Sequence, residues 1–276
     1  MPERPVRIAV VDSGVQPDHP HILAGQLDPG IGVARDGTLL EGATPDRLGH
    51  GTAVTAAIQQ WAPQARCVTV RVFDEALRAS PRALVAAIDW CVAAGVDLVN
   101  LSLGTTHAAH GPVFAAAAAR AVQAGVVLVA ARDVDGTPCF PGALPQAIGV
   151  GLDWDCPRES YRVATGEGEG EGEGERRGER GGEAGFLASG HPRPIPGVPQ
   201  RRNLYGVSFA VANLTGFAAA ALADRPDLPQ GRERLVALRA LLAAGPAGAV
   251  AMSGDQTVAN AATRSIIQKL PSAPTA

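Results

Sequence analysis

The sequence predicts a three-layer α/β fold, in which helices cover both faces of a mostly parallel sheet. Two observations predict this class: short runs of aliphatic residues alternate with longer Ala-rich stretches, and the short runs are apolar throughout. Continuously apolar strands are typical of parallel sheets, because such strands are buried on both faces. Since aromatic residues make up only 4% of the chain, the core has to be built mostly from Ala, Val, Leu and Ile.

The predicted strands and helices alternate along the chain. Strands are expected at residues 7–11, 67–72, 96–101, 126–130 and 147–152, and helices at residues 52–61, 81–94, 113–124, 208–223 and 232–244. Ser80 followed by Pro81 is typical of a helix start, and Gly125 is typical of a helix end. The helix at 208–223 is apolar nearly all round, which predicts a helix buried in the centre of the protein.

We expect a single domain over residues 1–276, interrupted by a Gly/Glu-rich segment at about 166–185. This segment is predicted to be a solvated surface loop, because Gly disfavours regular structure and like-charged Glu side chains repel each other. Binding of a cation or a basic peptide is the alternative role. The chain is weakly patterned from about residue 246 onward.

Charge and hydropathy exclude several classes of partner. The chain carries 24 Lys and Arg against 27 Asp and Glu, a net charge of −3, which argues against nucleic acid or an anionic membrane held by bulk charge. No apolar run reaches the roughly 20 residues that a membrane span needs. The N-terminus has no apolar segment of the signal-peptide kind, so we expect a small cytoplasmic protein.

Four cysteines are present, namely Cys67, Cys91, Cys139 and Cys156. None forms a C-x-x-C pair, and a cytoplasmic protein keeps its thiols reduced. We therefore expect buried free thiols, with a Cys139–Cys156 disulfide as the alternative.

Two short polar segments carry residue types that are used in acid–base catalysis. Asp12 follows a strand predicted to be buried, at the strand end where open α/β sheets bind ligands. His50 lies between Gly49 and Gly51 at the start of a helix. The positive end of the helix dipole disfavours the imidazolium there and keeps the ring available as a base. The alternatives are a turn cap for Asp12 and a helix cap for His50.

A third segment places Ser208 at the start of the long apolar helix. A hydroxyl group at the positive end of a buried helix is well placed as a nucleophile, and the backbone N–H of the same residue can stabilise an oxyanion. The alternative role is a plain N-cap.

Together these segments resemble the subtilisin-like serine proteases, the subtilases. The resemblance is carried by VVDSGVQPDHP around Asp12, GHGTAV around His50 and YGVSFA around Ser208, with VNLSLG, AIGVG and FLASG in the order of the family. It covers roughly residues 6–225 and implies a subtilisin-like fold.

The resemblance also implies roles for individual residues. Ser208 would attack the scissile carbonyl, His50 would carry the proton, and Asp12 would orient the imidazole. The segment Leu101-Ser102-Leu103-Gly104 would pair with an extended peptide or protein substrate through main-chain hydrogen bonds, with Gly104 leaving room for it. No cofactor and no metal are implied.

The sequence departs from the family pattern at the second donor to the oxyanion. Subtilases usually supply an Asn here, and its removal lowers kcat by about 10²–10³ in subtilisin itself. An ungapped comparison puts Val134 at that position, with Asp133 one residue away. The oxyanion candidates are therefore Asp133, Val134 and the N–H of Ser208. Another N–H could substitute, a protonated Asp133 could donate, or the enzyme could be slow.

Other polar residues have weaker links to function. Asp18, His19 and His21 have the spacing of a metal cluster, although the family pattern explains this segment as structural. His107 and His110 follow the substrate segment and are expected in a solvated loop. Ala212 and Asn213 stand where the family prefers Pro and His, and we expect Asn213 to be satisfied locally.

Three functions stay open at this point. The first is a serine endopeptidase, which could process a leader-peptide precursor in a natural-product pathway, as the cyanobactin maturation proteases do. The second is a weak or inactive scaffold that binds a peptide or a partner protein, since the oxyanion Asn is missing. The third is an esterase or peptide ligase, which would share the acyl-enzyme.

Overall fold

The computed structural model describes residues 4–42, 44–73, 75–164, 185–245 and 256–259. The strands are β1 Arg7–Asp12, β2 Leu27–Val33, β3 Leu39–Leu40, β4 Arg66–Arg71, β5 Leu98–Leu101, β6 Val127–Ala131, β7 Asp133–Val134, β8 Thr137–Pro138, β9 Ala147–Leu152, β10 Ser160–Ala164, β11 Gly185–Ala188 and β12 Gln256–Ala259. The helices are α1 His50–Trp61, α2 Pro81–Ala93, α3 Gly111–Gln123, α4 Val207–Asp224 and α5 Arg234–Ala244.

One large sheet has the strand order β12-β10-β11-β9-β6-β5-β1-β4-β2-β3. The seven strands from β11 to β2 are mutually parallel, and antiparallel pairs occur only at the two edges. This confirms the predicted mostly parallel sheet. Val11 of β1 is level with Leu101 of β5, and Asp12 is level with Arg71 of β4. The carboxyl ends of these central strands therefore lie side by side.

Helices cover both faces of this sheet, which confirms the three-layer prediction. Successive strand residues point to opposite faces, so Ile8 and Val10 of β1 join the core formed with α1, α4 and α5. Ala9 and Val11 join the second core, formed with α2 and α3.

Local sequence signals place two helix ends correctly. The Ser80 hydroxyl accepts a hydrogen bond from the N–H of Ala83 at 3.0 Å, with Pro81 as the first helical residue. Gly125 follows α3 with a φ of +75°, a conformation that favours glycine. Both signals act within a few residues, so tertiary contacts do not override them.

Helix α4 is the predicted central helix. It lies against α1 and several strands, and Phe209, Leu214 and Phe217 are all at most 1% exposed. Among the described residues it is the one helix long and apolar enough to cross a membrane, but 67% of it is buried inside the protein. That burial is typical of a core helix.

Several edge strands were not predicted. Strand β2 contains Pro29 and Gly30, and its register shifts between Asp28 and Ile31, so it lacks a continuous apolar run. A Cβ atom at Gly30 would lie 1.8 Å from the carbonyl oxygen of Thr69. The close approach of these two strands therefore requires glycine, a requirement set by a distant segment.

The predicted Gly/Glu loop and the C-terminal tail fall mostly outside the described residues. Gly185, which we had placed at the end of the loop, is the first residue of β11. Within the weakly patterned tail, β12 pairs with β10 and forms the sheet edge.

All four cysteines are buried and free. This confirms the prediction of free thiols, and the alternative Cys139–Cys156 disulfide was wrong. Burial raises the pKa of Cys67 to about 12 and that of Cys139 to about 11. Protonated, buried thiols are poor nucleophiles.

Candidate active site

Asp12 ends β1 and is completely buried. Its Oδ1 accepts a hydrogen bond from the N–H of Ser13 at 2.8 Å and lies 2.7 Å from Nδ1 of His50. Since a carboxylate can only accept, Nδ1 donates to it and Nε2 is left as the basic nitrogen. The second oxygen, Oδ2, is buried and has no hydrogen-bond partner among the described residues.

His50 is the first residue of α1, and Gly49 before it has a φ of +76°. No side chain caps this helix start through the N-cap position, so the alternative role of His50 as its own helix cap was wrong. A Cβ atom at Gly51 would lie 2.3 Å from the carbonyl oxygen of Gly14. The segments that carry Asp12 and His50 can therefore touch only because residue 51 is glycine.

The electrostatics of His50 differ from the sequence prediction. Burial lowers the pKa of its imidazole, but the hydrogen bond that His50 donates to Asp12, the charge of Asp12 and the charge of Asp46 raise it more. The pKa therefore lies above its ordinary value, whereas the helix-dipole argument predicted a disfavoured imidazolium. Two carboxylates outweigh the partial charge of a helix end.

Asp46 is a part of this site that we did not predict. Its two oxygens accept five hydrogen bonds, from Ser13 Oγ at 2.8 Å, the N–H groups of Leu48 at 2.9 Å, Gly49 at 2.8 Å and Thr52 at 2.8 Å, and Thr52 Oγ1 at 2.6 Å. Burial raises the pKa of Asp46, but the hydrogen bonds outweigh it and the pKa lies below its ordinary value. The sequence rule for helix starts looks for an Asp immediately before the helix, and Asp46 lies three residues before the N-cap Gly49, so this rule does not find it.

Ser208 is the second residue of α4, after Gly206 and Val207. Its hydroxyl donates to the carbonyl oxygen of Ser102 at 3.0 Å, so the alternative role as an N-cap was wrong. No hydrogen bond joins the described Ser208 and His50 side chains. The next residue, Phe209, has its ring centroid 5.6 Å from that of His50, which puts the start of α4 beside the imidazole.

The predicted substrate segment begins at the last residue of β5 and continues beyond it, at the carboxyl ends of the strands. Leu101 and Ser102 are buried, and Ser102 Oγ accepts a hydrogen bond from Asn100 Nδ2 at 2.7 Å. Leu103 and Gly104 are accessible. However, a Cβ atom at Gly104 would lie 2.5 Å from the carbonyl oxygen of Phe140. The glycine therefore makes room for Phe140, and not only for a substrate as we predicted.

The two side-chain candidates for the oxyanion site lie in the short hairpin of β7 and β8. The Asp133 carboxylate accepts a hydrogen bond from Arg132 Nε at 2.9 Å. In this contact the carboxylate acts as an acceptor, and the role of Asp133 as an oxyanion donor stays a prediction. The Val134 side chain is 41% exposed and has no donor atom. The N–H of Ser208, and another N–H in place of the missing Asn, stay predictions.

Asn213 is satisfied locally, as we predicted. Its amide oxygen accepts a hydrogen bond from Trp61 Nε1 at 2.9 Å, and its NH₂ group donates to the carbonyl oxygens of Ser189 and His191. It therefore ties α4 to α1 and to the segment after β11.

The other histidines carry no metal-binding arrangement. The rings of His19 and His21 meet edge to face with centroids 5.3 Å apart, and those of His107 and His110 are 5.0 Å apart. In the described ranges, no three His, Cys, Asp or Glu residues are grouped as metal ligands.

An aromatic cluster borders Ser208 and was also not predicted. Trp154 and Tyr205 are 50% and 63% exposed, and the Trp154 ring contacts those of Tyr205 and His191. The N–H of Gly206 donates to the carbonyl oxygen of Gly190 at 2.9 Å. This bond holds the end of the cluster next to the start of α4.

Comparisons with known proteins agree with this architecture. The model of the subtilase family matches residues 3–151. The chain is 31% identical over 157 residues to the minor extracellular protease Epr of Bacillus subtilis (strain 168), covering 52% of this chain and 23% of that protein. It is 34% identical over 157 residues to thermitase of Thermoactinomyces vulgaris, covering 52% of this chain and 53% of thermitase. The match thus spans between about a quarter and a half of the length of these relatives.

Solved structures share the fold over most of the chain. A lanthipeptide protease has a TM-score of 0.63 at 17% identity, with 92% of this chain and 84% of that chain covered. The prenylagaramide maturation protease PagA has a TM-score of 0.60 at 23% identity, with 87% and 83% covered. The fold is the subtilisin-like α/β fold, and because the family match also spans more than half of the sequence, the chain belongs to the subtilase family.

Proposed function

We propose that this protein is a serine endopeptidase in which Asp12, His50 and Ser208 form the catalytic triad. The observation that carries the proposal is the buried 2.7 Å contact between Asp12 and His50, with the ring of Phe209, the residue after Ser208, next to the imidazole. A buried carboxylate on Nδ1 leaves Nε2 free to take a proton from a hydroxyl group.

The mechanism begins with a change of partner for the Ser208 hydroxyl group. It leaves the Ser102 carbonyl oxygen and donates to Nε2 of His50, a hydrogen bond that free enzymes often lack. Oxygen then attacks the peptide carbonyl as Nε2 takes the proton. The tetrahedral oxyanion faces the N–H of Ser208, and the imidazolium returns the proton to the leaving amine. Water hydrolyses the acyl-enzyme by the same route.

We propose an extended peptide as the substrate, paired with the accessible Leu103-Gly104 backbone. The exposed rings of Trp154 and Tyr205 support a peptide-binding surface, because large exposed aromatic side chains are typical of contact sites. The similarity in fold to a lanthipeptide protease and to a prenylagaramide maturation protease supports a precursor peptide as the physiological substrate. The cytoplasmic location stays a prediction.

A weak or inactive peptide-binding scaffold is the second candidate function. Two observations favour it: the Asp133 carboxylate accepts from Arg132 while the Val134 side chain has no donor atom, and the Ser208 hydroxyl is bonded to the Ser102 carbonyl oxygen. Peptide binding without turnover would follow if the hydroxyl group stayed there.

A fluorophosphonate probe separates the two candidates, because it labels only an activated serine. We expect covalent labelling of the wild-type chain and none of Ser208→Ala, with Ser102→Ala as a control that keeps the nucleophile. Equal labelling of wild type and Ser208→Ala, or no labelling of either, would contradict the endopeptidase proposal.

The substrate proposal has its own test. The chain is incubated with candidate precursor peptides of the lanthipeptide and prenylagaramide classes and with an unrelated peptide library, and the products are identified by mass spectrometry. We expect one defined cleavage in the precursor. Cleavage of library peptides without defined precursor cleavage would reject the precursor and leave the endopeptidase proposal standing.

A further inference from the structure

We propose that Asp46 is a positioning residue, whose carboxylate fixes the segment that carries Asp12 against the helix start that carries His50. The inference rests on the proposed function, because it assigns Asp46 a part in the same triad.

The Asp46 carboxylate contacts the chain on both sides of the pair. Oδ1 accepts from the hydroxyl group of Ser13, the residue after Asp12. Oδ2 accepts two hydrogen bonds from Thr52, in the first turn of α1. Ser13 Oγ in turn accepts from the N–H of Gly51, next to His50, at 2.9 Å. One side chain thus links the neighbours of both catalytic groups.

The backbone reinforces the same junction. The N–H of Val15 donates to the carbonyl oxygen of Thr44 at 3.0 Å, and Val15 forms an isolated parallel bridge with Pro45. The segment that carries Asp46 is therefore bonded to the segment that follows Asp12. Because this contact does not involve the Asp46 side chain, it should preserve the local fold when that side chain is changed.

The arrangement requires a carboxylate in particular. Five donors are shared between two acceptor oxygens, three on Oδ1 and two on Oδ2. Asparagine has one acceptor oxygen and an NH₂ group that can only donate. Asp46→Asn therefore loses at least two of the five hydrogen bonds and also the negative charge.

The charge also acts on His50 directly. The charged groups that act on its imidazole are Asp12, at the end of β1, and Asp46, before α1. The neighbour from α4 is the uncharged ring of Phe209. With Asp46 neutral, the imidazolium loses one of its two stabilising carboxylates, so the pKa of His50 falls.

The test is Asp46→Asn in the full chain, measured by peptide hydrolysis against pH and by NMR titration of the six histidines. We expect kcat to fall by between about tenfold and about 10²-fold with KM nearly unchanged, because a small misplacement of a catalytic group can cost up to about 10²-fold in rate. The acidic limb of kcat/KM and the NMR pKa of His50 should both move to lower pH, because the imidazolium loses the charge of Asp46. Asp46→Glu, which keeps the charge, should restore the limb.

Asp97→Asn is the matched control. Asp97 is also buried and accepts several hydrogen bonds, from Arg4, Arg234 and the N–H of Arg7. It lies just before β5, at the end of the strands opposite to the candidate site. Its loss should lower stability and leave the acidic limb in place. If Asp46→Asn lowers only stability, as this control does, the proposal is overturned.

Ser13→Ala covers the case in which Asp46→Asn does not fold. It removes one link and keeps the Asp46 charge, so we expect a lower kcat with an unmoved acidic limb. An unchanged kcat in folded Ser13→Ala would also overturn the proposal. The NMR titration does not require turnover. If the fluorophosphonate probe fails to label the wild-type chain, the proposed function is rejected, but the effect of Asp46 on the pKa of His50 can still be measured.

Discussion

The buried pair of Asp12 and His50 shows how single residues set the chemistry of this site. Asp12 has no access to solvent, and its contact with His50 fixes both the tautomer and the orientation of the imidazole. The same contact stabilises the imidazolium, so the pKa of His50 lies above 6.5 despite burial. In the proposed triad, a more basic imidazole would take a proton from Ser208 more readily, but it would be protonated over a wider acidic range.

This direction predicts the pH dependence of hydrolysis. Activity requires neutral His50, so kcat/KM should fall as the pH drops through a midpoint above the ordinary value of 6.5. The linked contribution to stability has the opposite trend: it is fully present below the unfolded pKa and is lost as the pH rises through the higher folded pKa. A pH–rate profile checks the prediction, and a midpoint below 6.5 would contradict it.

Asp12→Asn gives a second prediction for this pair. An amide in place of the carboxylate favours the wrong imidazole tautomer, which lowers kcat by about 10⁴ in another serine protease. We expect a loss of that order in steady-state hydrolysis, with the circular dichroism spectrum of the folded chain retained. A loss below about tenfold would mean that Asp12 does not orient His50.

Among the elements, the contact between α1 and α4 sets the distance between the proposed base and the proposed nucleophile. His50 begins α1 and Ser208 lies in the first turn of α4. The two helices meet where the rings of Trp61 and Phe217 stack at 5.2 Å. A Cβ atom at Gly216 would lie 2.8 Å from Cβ of Trp61, so the helices approach each other closely only with glycine there.

Gly216→Ala tests this contact. The added methyl group overpacks the interface, which destabilises a protein by about 1–3 kcal/mol. It should also slow fluorophosphonate labelling, because the helix starts are displaced. Gly25→Ala is the matched control, since nothing lies within 4 Å of the added atom. Equal labelling rates and melting temperatures in both variants would disprove the role of Gly216.

At the scale of the whole molecule, the carboxyl ends and the amino ends of the parallel strands have different roles. Asp12 and Ser102 lie at the carboxyl ends of β1 and β5, close to the starts of α1 and α4. At the amino ends of the strands, Asp97 is 2% exposed and accepts hydrogen bonds from arginines of the N-terminal segment and of α5. Burial raises the pKa of Asp97, but the bonds from Arg4, the Arg7 N–H and Arg234 outweigh it and hold the pKa below its ordinary value.

Asp97→Asn should therefore destabilise the fold without altering the chemistry. Breaking a buried ion pair is destabilising by roughly 3 kcal/mol. We expect a decrease of that order in the free energy of unfolding, to be measured by urea unfolding at pH 7. Because the folded pKa is depressed, this contribution exists above the unfolded value near 3.8 and disappears as the pH falls through the folded value. A difference from wild type that persists undiminished at lower pH would contradict this assignment.

Sequence alone determined the features that depend on local signals. The continuously apolar strands established the α/β class, Ser80 and Gly125 placed two helix ends, and three short segments identified Asp12, His50 and Ser208 as the candidate triad. Only the tertiary structure decided how these groups are held. Asp46 reaches Ser13 across 33 residues and Ser208 reaches Ser102 across 106, and the direction of the His50 pKa depends on two carboxylates from separate segments. A local pattern fixes backbone conformation over a few residues, whereas distances and charges between distant segments exist only after the chain has packed.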